Sequence, residues 1–206
     1  MAFLAVGLAM LGWVGWQFYG TNWVSQRQQA DTVQKLEQQW AQGGGEVLSI
    51  AGSEANAVIR IPRFGPDYAV PLLEGTSDSV LSRGFGRFSD SAKPGERGNF
   101  AVAAHRVTHG EPLRDMPSLQ PGDEVLVVTK KWVYTYELTT GGDDLIVPFT
   151  DIWVLDPLPK NPDGGVQPAQ KPGQRLITLT TCSELFHTDN RMIAFGVLTD
   201  KQPTAT

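Results

Sequence analysis

From residue 55 onward the chain loses helical periodicity, and short runs rich in Val, Ile, Tyr and Phe alternate with turn residues. This alternation constrains the fold more than any other feature, because such runs bounded by turns are typical of β-strands. Lys130-Lys131 lies between two of the runs and indicates a tight hairpin. Many short strands with little helix predict a mostly β fold, either a sandwich or a closed barrel. The predicted strands are residues 57–61, 99–104, 124–129, 132–138, 176–181 and 192–198.

The chain has one cysteine, Cys182, at the end of the β-branched run 176–182. A lone cysteine is by itself either a small buried hydrophobe or a reactive thiol, so its surroundings must decide. A short loop, residues 183–190, separates it from a second apolar run that Arg191 opens. If the two runs pair antiparallel, Cys182 and Arg191 face each other with Cβ atoms about 4.5–5.5 Å apart.

His105 ends another apolar run, residues 99–104, and so lies at a predicted strand end. The three residue types together suit acyl transfer. A thiolate is the effective nucleophile, and a nearby imidazole can take its proton and later protonate a leaving amine. Arginine stays charged and can donate hydrogen bonds to a developing oxyanion. The sequence therefore proposes Cys182, His105 and Arg191 as one catalytic group.

The run that ends at Cys182 resembles the TLxTC signature of sortases, a family of cysteine transpeptidases. Residues 98–106 are similar to the sortase segment that leads into the catalytic histidine, and Arg191 lies where sortases carry their active-site arginine. The chain order of His, Cys and Arg is also that of the family. Further stretches look like class E sortases of actinobacteria: residues 61–65, 74–76, 93–96, 119–123, 134–136 and 153–155.

The resemblance implies a closed eight-stranded sortase β-barrel and a defined reaction. Sortases cleave a sorting signal of the LPxTG or LAxTG kind between Thr and Gly, hold the protein as a thioester, and pass it to an amine. By this resemblance Cys182 is the nucleophile, His105 the acid and base, and Arg191 the oxyanion or substrate donor. The implied partners are surface proteins that carry the signal, and a cell-wall precursor or pilin that supplies the amine.

The resemblance also implies a peptide groove, lined by Thr180, Thr181 and the Pro-rich irregular stretch 156–174. Class E sequences often carry a tyrosine where this chain has His109, so His109 is either a substrate contact or a solvent-facing side chain. We interpret His187, in the loop after Cys182, as a surface residue. With one cysteine and scattered histidines we expect no zinc site and no cofactor.

Residues 1–26 contain no charged side chain, and residues 2–24 are largely apolar. About 20 apolar residues span a bilayer as a helix. A cleaved signal peptide would have a basic start and a small-residue cleavage site. We therefore expect residues 1–25 to be a retained single-pass membrane anchor. No Lys or Arg precedes it, so the extracellular placement of the catalytic domain rests on its chemistry, and an upstream cytoplasmic segment could precede the sequence.

Residues 25–42 predict a polar helix with a thin apolar stripe of Val33, Leu36 and Trp40. We interpret residues 26–45 as a helical stalk that ends in a linker of three glycines. The catalytic barrel is then residues 46–200, and residues 201–206 form a flexible tail.

Other functions fit less well. A net charge of −5 without a basic cluster argues against nucleic-acid binding. The Ser-His-Gly-Cys pattern of L,D-transpeptidases is absent, and papain-like hydrolases place Cys before His. Another wall-directed Cys/His transpeptidase and an inert, membrane-anchored β module that binds wall or partner protein remain the alternatives.

Overall fold

The computed structural model describes residue 7 and residues 21–50, 52–182 and 189–205. Within these residues ten strands form one sheet, accompanied by one long helix, one short helix and three 3-10 turns. The strands are β1 (Leu48–Ile50), β2 (Ser53–Arg60), β3 (Val70–Glu74), β4 (Phe85–Arg87), β5 (Gly98–Ala103), β6 (Glu124–Val128), β7 (Trp132–Leu138), β8 (Leu145–Pro148), β9 (Arg175–Cys182) and β10 (Asn190–Pro203). The helices are α1 (Thr21–Ala41) and α2 (Asp78–Leu81), and the 3-10 turns are Pro62–Phe64, Met116–Ser118 and Ile152–Leu155.

Eight of the strands close into a barrel. They follow the order β2-β3-β4-β5-β9-β10-β7-β6, and β6 pairs back onto β2 through Val58↔Val128 and its neighbours. Closure leaves no open sheet edge among these eight strands. β1 extends β2 as a hairpin, and β8 pairs with β10 outside the circuit. The predicted eight-stranded barrel is therefore confirmed.

Side chains that point inward along these strands fill the barrel with one apolar cluster. Phe100, Tyr136 and Leu179 are fully buried in it, and the rings of Phe100 and Tyr136 lie 6.1 Å apart. The Tyr136 hydroxyl accepts a hydrogen bond from Gly95 N at 2.7 Å, so the one polar atom of this ring is satisfied. The strands that carry the candidate site are thus set on a packed core.

A partly buried ion pair joins the parallel strands β3 and β4. Glu74 and Arg87 are register partners, and Arg87 Nε and Nη2 approach Glu74 Oε2 at 2.9 and 2.8 Å. Arg87 Nη1 also donates to the carbonyl of Phe88 at 3.2 Å. Burial raises the pKa of Glu74, but hydrogen bonds from Arg87 and Asn56 outweigh it and leave this pKa below its ordinary value.

Helix α1 lies against the barrel rather than standing apart as a stalk. Val33 and Leu36 are 6% and 0% exposed, and they pack with Val58 and Leu73 of the barrel wall while Trp40 packs at the margin. The thin apolar stripe that suggested a stalk is the contact face of the helix. The helix ends at a left-handed Gly43, where Gly44 N donates to Gln39 O at 2.8 Å.

The predicted tail, residues 201–206, is wrong in its first half. β10 continues through Pro203, where Lys201, Gln202 and Pro203 pair with β7. The Lys201 ammonium also lies 3.9 Å from the centre of the Trp132 ring, so a cation–π contact helps to hold the strand end. In the described part of the chain no helix is long and apolar enough to cross a membrane. Of the predicted anchor, residues 1–25, positions 1–6 and 8–20 lie outside the described residues. Its last five residues begin helix α1, where Asn22 accepts a hydrogen bond from Gly110 N at 3.1 Å, so the anchor's predicted end at residue 25 is wrong.

Candidate active site

Cys182 and Arg191 are direct partners in the antiparallel ladder of β9 and β10. They lie at the end of the hairpin where the chain leaves β9. Antiparallel pairing of the run that ends at Cys182 with the run that begins at Arg191 predicted this opposition. On its other side β10 pairs with β8, where Arg191 lies opposite Val147. Arg191 therefore sits on the middle strand of three at this end of the sheet. The intervening loop with His187 lies outside the described residues.

His105 reaches the same end of the barrel because β5 runs parallel to β9. The register runs from Gly98↔Arg175 to Ala103↔Thr180, and Ala104 N continues it with a hydrogen bond to Thr180 O at 3.2 Å. Extending this register by one further residue brings His105 level with Cys182. The structure thus places all three predicted catalytic residues on the adjacent ends of β5, β9 and β10.

The His105 ring is partly enclosed, and its Nε2 atom is buried without a hydrogen-bond partner among the described residues. The pKa of His105 is lowered from 6.5 to about 4: burial is the main cause, His109 adds to the lowering, and Asp78 of α2 opposes it. The imidazole is therefore neutral at pH 7. A neutral imidazole can accept a thiol proton and hold it for a leaving amine.

Arg191 is half-buried, and one of its hydrogen bonds runs from Nη1 to the carbonyl of Asn190 at 3.0 Å. The guanidinium carries a positive charge and presents several N–H donors. It places positive charge at the mouth of the hairpin, where a peptide carbonyl bound over Cys182 would develop negative charge.

Thr180 and Thr181, which the resemblance assigned to substrate, are 7% and 3% exposed. The Thr181 hydroxyl donates to Ala104 O at 2.7 Å and so ties the end of β9 to the residue before His105. This hydrogen bond has a structural role, because it holds together the ends of β5 and β9 that carry His105 and Cys182. A substrate contact for either threonine stays a prediction.

A second buried tie lies farther down the same two strands, and the sequence did not single it out. Thr178 Oγ1 donates to Asn99 Oδ1 at 2.8 Å, and Asn99 Nδ2 donates to Val154 O at 3.0 Å. Thr178 and Asn99 are 0% and 1% exposed. This network joins β5, β9 and the 3-10 turn Ile152–Leu155. The sequence signal that could have indicated this network is Asn99, a polar residue in the otherwise apolar strand β5.

His109 is exposed, but its ring stacks on that of His105 with centroids 4.6 Å apart and planes at 30°. Its backbone is left-handed, with φ at 53°, and its Nδ1 lies 3.1 Å from Thr108 Oγ1. The structure therefore brings His109 to the candidate site, and a contact with substrate stays a prediction.

The irregular stretch 156–174 contains no helix or strand. Val166 packs on the apolar cluster of β8 and β10, and Gln174 O accepts from Gly98 N at the β9 end opposite Cys182. A role in lining a groove stays a prediction. The described residues also hold no group of three or more His, Cys, Asp or Glu that could bind a metal ion.

Comparison with known proteins gives one consistent answer. A family model described as "Sortase domain" matches residues 59–199. Sortase SrtE1 of Streptomyces coelicolor is 35% identical over 98% of this chain, which spans only 56% of that relative's length. The structure of sortase E from Streptomyces avermitilis matches with a TM-score of 0.63 and 38% identity, over 72% of this chain and 90% of that one.

A third similar structure is that of sortase E1 from Streptomyces coelicolor with a tripeptide in its active site. It matches with a TM-score of 0.61 and 35% identity, over 71% of this chain and 89% of that one. The closed barrel, with cysteine, histidine and arginine at adjacent strand ends, agrees with these matches. The chain belongs to the sortase family, with similarity to sortases of class E.

Proposed function

We propose that this chain is a cysteine transpeptidase that cuts a sorting signal between Thr and Gly and joins the released carboxyl end to an amine. The observation that carries the proposal is the register of three strands. β5 parallel to β9, and β9 antiparallel to β10, bring the positions of His105, Cys182 and Arg191 together at one barrel end.

The proposed reaction has two acyl-transfer steps. Neutral His105 takes the Cys182 proton, and the thiolate sulfur attacks the Thr carbonyl carbon. The Thr–Gly C–N bond then breaks, and the imidazolium gives its proton to the departing Gly nitrogen, which leaves a thioester on Cys182. An acceptor amine next attacks the thioester, passes a proton to His105, and expels the thiolate. Arg191 stabilises the oxyanion in both steps.

The lowered pKa of His105 supports this assignment of roles, because a neutral imidazole can act as the base. The thiol and imidazole would then be mostly neutral at rest, and the ion pair would be a minority species. The rate should therefore follow a bell-shaped pH profile with macroscopic pKa values that belong to the pair. A profile that is flat between about pH 3 and 9, a window that brackets the lowered pKa of His105 and an ordinary Cys value, would contradict this mechanism.

A peptide substrate is supported by the similar sortase E1 structure, which holds a tripeptide in its active site. The proposed signal is of the LPxTG or LAxTG kind, and similarity to class E sortases is the reason for including LAxTG. We further propose that residues 2–20 of the predicted anchor hold the chain in the cell membrane with the barrel outside, where cell-wall precursor or pilin amines are available. Residues 21–25 belong to α1, where Asn22 hydrogen-bonds to Gly110 of the barrel. The apolar composition of residues 2–20 supports an anchor.

The test is a ligation assay with the full 206-residue chain in detergent micelles. LAxTG and LPxTG peptides are incubated with a short oligoglycine, and mass spectrometry measures peptide joined to the amine. We expect ligated product that is lost in Cys182→Ala. Arg191→Ala should lower the rate about 10²–10³-fold, the usual cost of losing one oxyanion donor.

Near-full activity in Arg191→Ala would remove Arg191 from the mechanism. A folded wild-type protein whose thiol resists alkylation, and that gives no product with either peptide, would instead support the inert binding module. A thiol that alkylates readily without turnover would mean that the peptide, rather than the chemistry, was misidentified.

A further inference from the structure

Helix α1 contacts two different parts of the barrel. Its C-terminal half buries Val33 and Leu36 against the barrel wall, which fixes the helix in place. Its N-terminal half carries Asn22, Gln26 and Gln29 at a spacing that puts them on one helical face. This polar face meets the loop that follows His105. The helix therefore bridges the barrel wall and the candidate active site.

The polar face makes a series of hydrogen bonds with the loop backbone. Gln29 Nε2 donates to His109 O at 2.8 Å, and Gln26 Nε2 donates to Gly110 O at 3.3 Å. Asn22 Oδ1 accepts from Gly110 N at 3.1 Å, while Asn22 Nδ2 donates to Glu111 Oε1 at 2.7 Å. Gln29 is only 4% exposed, so its amide is committed to this contact rather than to water.

The loop backbone needs such support. His109, Gly110 and Glu111 lie consecutively at positive φ, with values of 53°, 84° and 54°. Non-glycine residues in this conformation are strained and persist where their surroundings hold them. Gly110 also marks how closely the helix approaches, because a Cβ there would lie 2.9 Å from Nε2 of Gln29.

The held loop acts on the candidate active site through His109. Its ring stacks on His105 at 4.6 Å, and the neighbouring Leu113 N donates to His105 O at 3.0 Å. The chain of contacts thus runs from α1 to the backbone of His109, and from the ring of His109 to the ring of His105. Each of these contacts is a hydrogen bond or a ring contact given above.

We propose that the N-terminal half of α1 is a positioning element for catalysis, in which Asn22, Gln26 and Gln29 fix the His109 loop and thereby the ring of His105. These three residues are positioning residues, since they touch neither substrate nor the reacting atoms. The expected effect on kcat rests on the proposed transpeptidase function, whereas the expected effect on the position of the His105 ring rests on the contacts alone.

The test uses the full chain with Gln29→Met, which keeps the side chain's length and removes its amide donor. The matched control is Gln28→Met on the exposed face, and Asn22→Ala is a second variant at the half-exposed end of the contact. Two readouts are made on each protein. One is kcat and KM with the LAxTG peptide and oligoglycine. The other is an NMR pH titration of labelled histidine rings, which is tractable because the chain has three histidines.

We expect Gln29→Met and Asn22→Ala to lower kcat by about tenfold or more at unchanged KM, since a misplacement of about 1 Å can cost about 10²-fold. The His105 midpoint should also move up toward its ordinary value, because a loosened loop leaves the ring better solvated. Gln28→Met should match wild type in both readouts. Near-ultraviolet circular dichroism confirms that each variant is folded.

A kcat in Gln29→Met equal to that of Gln28→Met overturns the proposal, and so does an unchanged His105 titration. A raised KM at constant kcat also contradicts it, because it would make the loop a substrate contact only. If wild type itself gives no turnover, the proposed function fails, and the His105 titration still decides whether α1 positions the ring.

Discussion

Thr178→Val isolates the buried tie between the two strands that lead to His105 and Cys182. Thr178 is 0% exposed, and its hydroxyl donates to Asn99 Oδ1 at 2.8 Å. Valine has nearly the same shape without a hydroxyl, so packing is kept while the donor is lost. Asn99 is 1% exposed, so water cannot replace that donor. Leaving a buried acceptor unsatisfied costs about 1–3 kcal/mol, and we expect a loss of about 2 kcal/mol in the free energy of unfolding.

The assay is urea denaturation of the purified protein followed by tryptophan fluorescence. Thr199→Val is the matched control, because the Thr199 hydroxyl also donates to a carbonyl, Thr135 O at 3.2 Å, but is exposed to solvent. Water can replace that bond, so the control should stay within about 0.5 kcal/mol of wild type, as surface substitutions usually do. If Thr178→Val behaves like Thr199→Val, the buried tie contributes nothing and the reasoning is refuted.

Three further predictions concern the helix contact, the ion pair and the site histidine. Leu36→Ala should lower the free energy of unfolding by about 2–5 kcal/mol in urea titrations, because Leu36 is fully buried; a loss no larger than that of exposed Lys35→Ala would contradict the docking of α1. Arg87→Met should lower the free energy of unfolding in the same titrations by about 1–3 kcal/mol, because it removes charged hydrogen bonds to Glu74, although Asn56 still donates to this partly exposed carboxylate. Wild type should lose the stability from this pair as pH falls through the lowered pKa of Glu74, and Arg87→Met should show a smaller loss. Because the pKa of His105 is about 4 in the folded protein and ordinarily 6.5, the unfolded chain binds more protons than the folded protein between these two pH values. The free energy of unfolding of wild type should therefore rise as pH increases from about 4 to 6.5. An equal rise in His105→Gln would mean that other groups cause the pH dependence.

Local patterns predicted much of the fold. β7 was predicted with its observed bounds, and β5, β6, β9 and β10 were found from alternation and β-branched composition. The missed strands are short or interrupted. β1 and β4 have three residues each, β3 contains Pro71, and β8 ends in Pro148. Proline and glycine weaken a strand signal, and such strands form because neighbouring strands supply their partners.

The candidate site likewise has one part that local sequence predicts and another that depends on pairing between distant segments. The opposition of Cys182 and Arg191 could be predicted because only a short hairpin separates them. The approach of His105 depends on a parallel pairing between β5 and β9, which no local pattern encodes. Helix α1 shows the same limit, because Val33 and Leu36 gave the correct stripe without revealing the barrel wall that covers it.

The measurement that tests the central claim most directly is the intact mass of the 206-residue chain after brief exposure to an LAxTG peptide without an acceptor amine. The account predicts an added mass equal to the peptide up to its Thr, mapped to Cys182, and removed when oligoglycine is supplied. The adduct should be absent in Cys182→Ala and should form slowly in His105→Gln. An adduct on another residue, or ligation without any dependence on Cys182, would contradict the account.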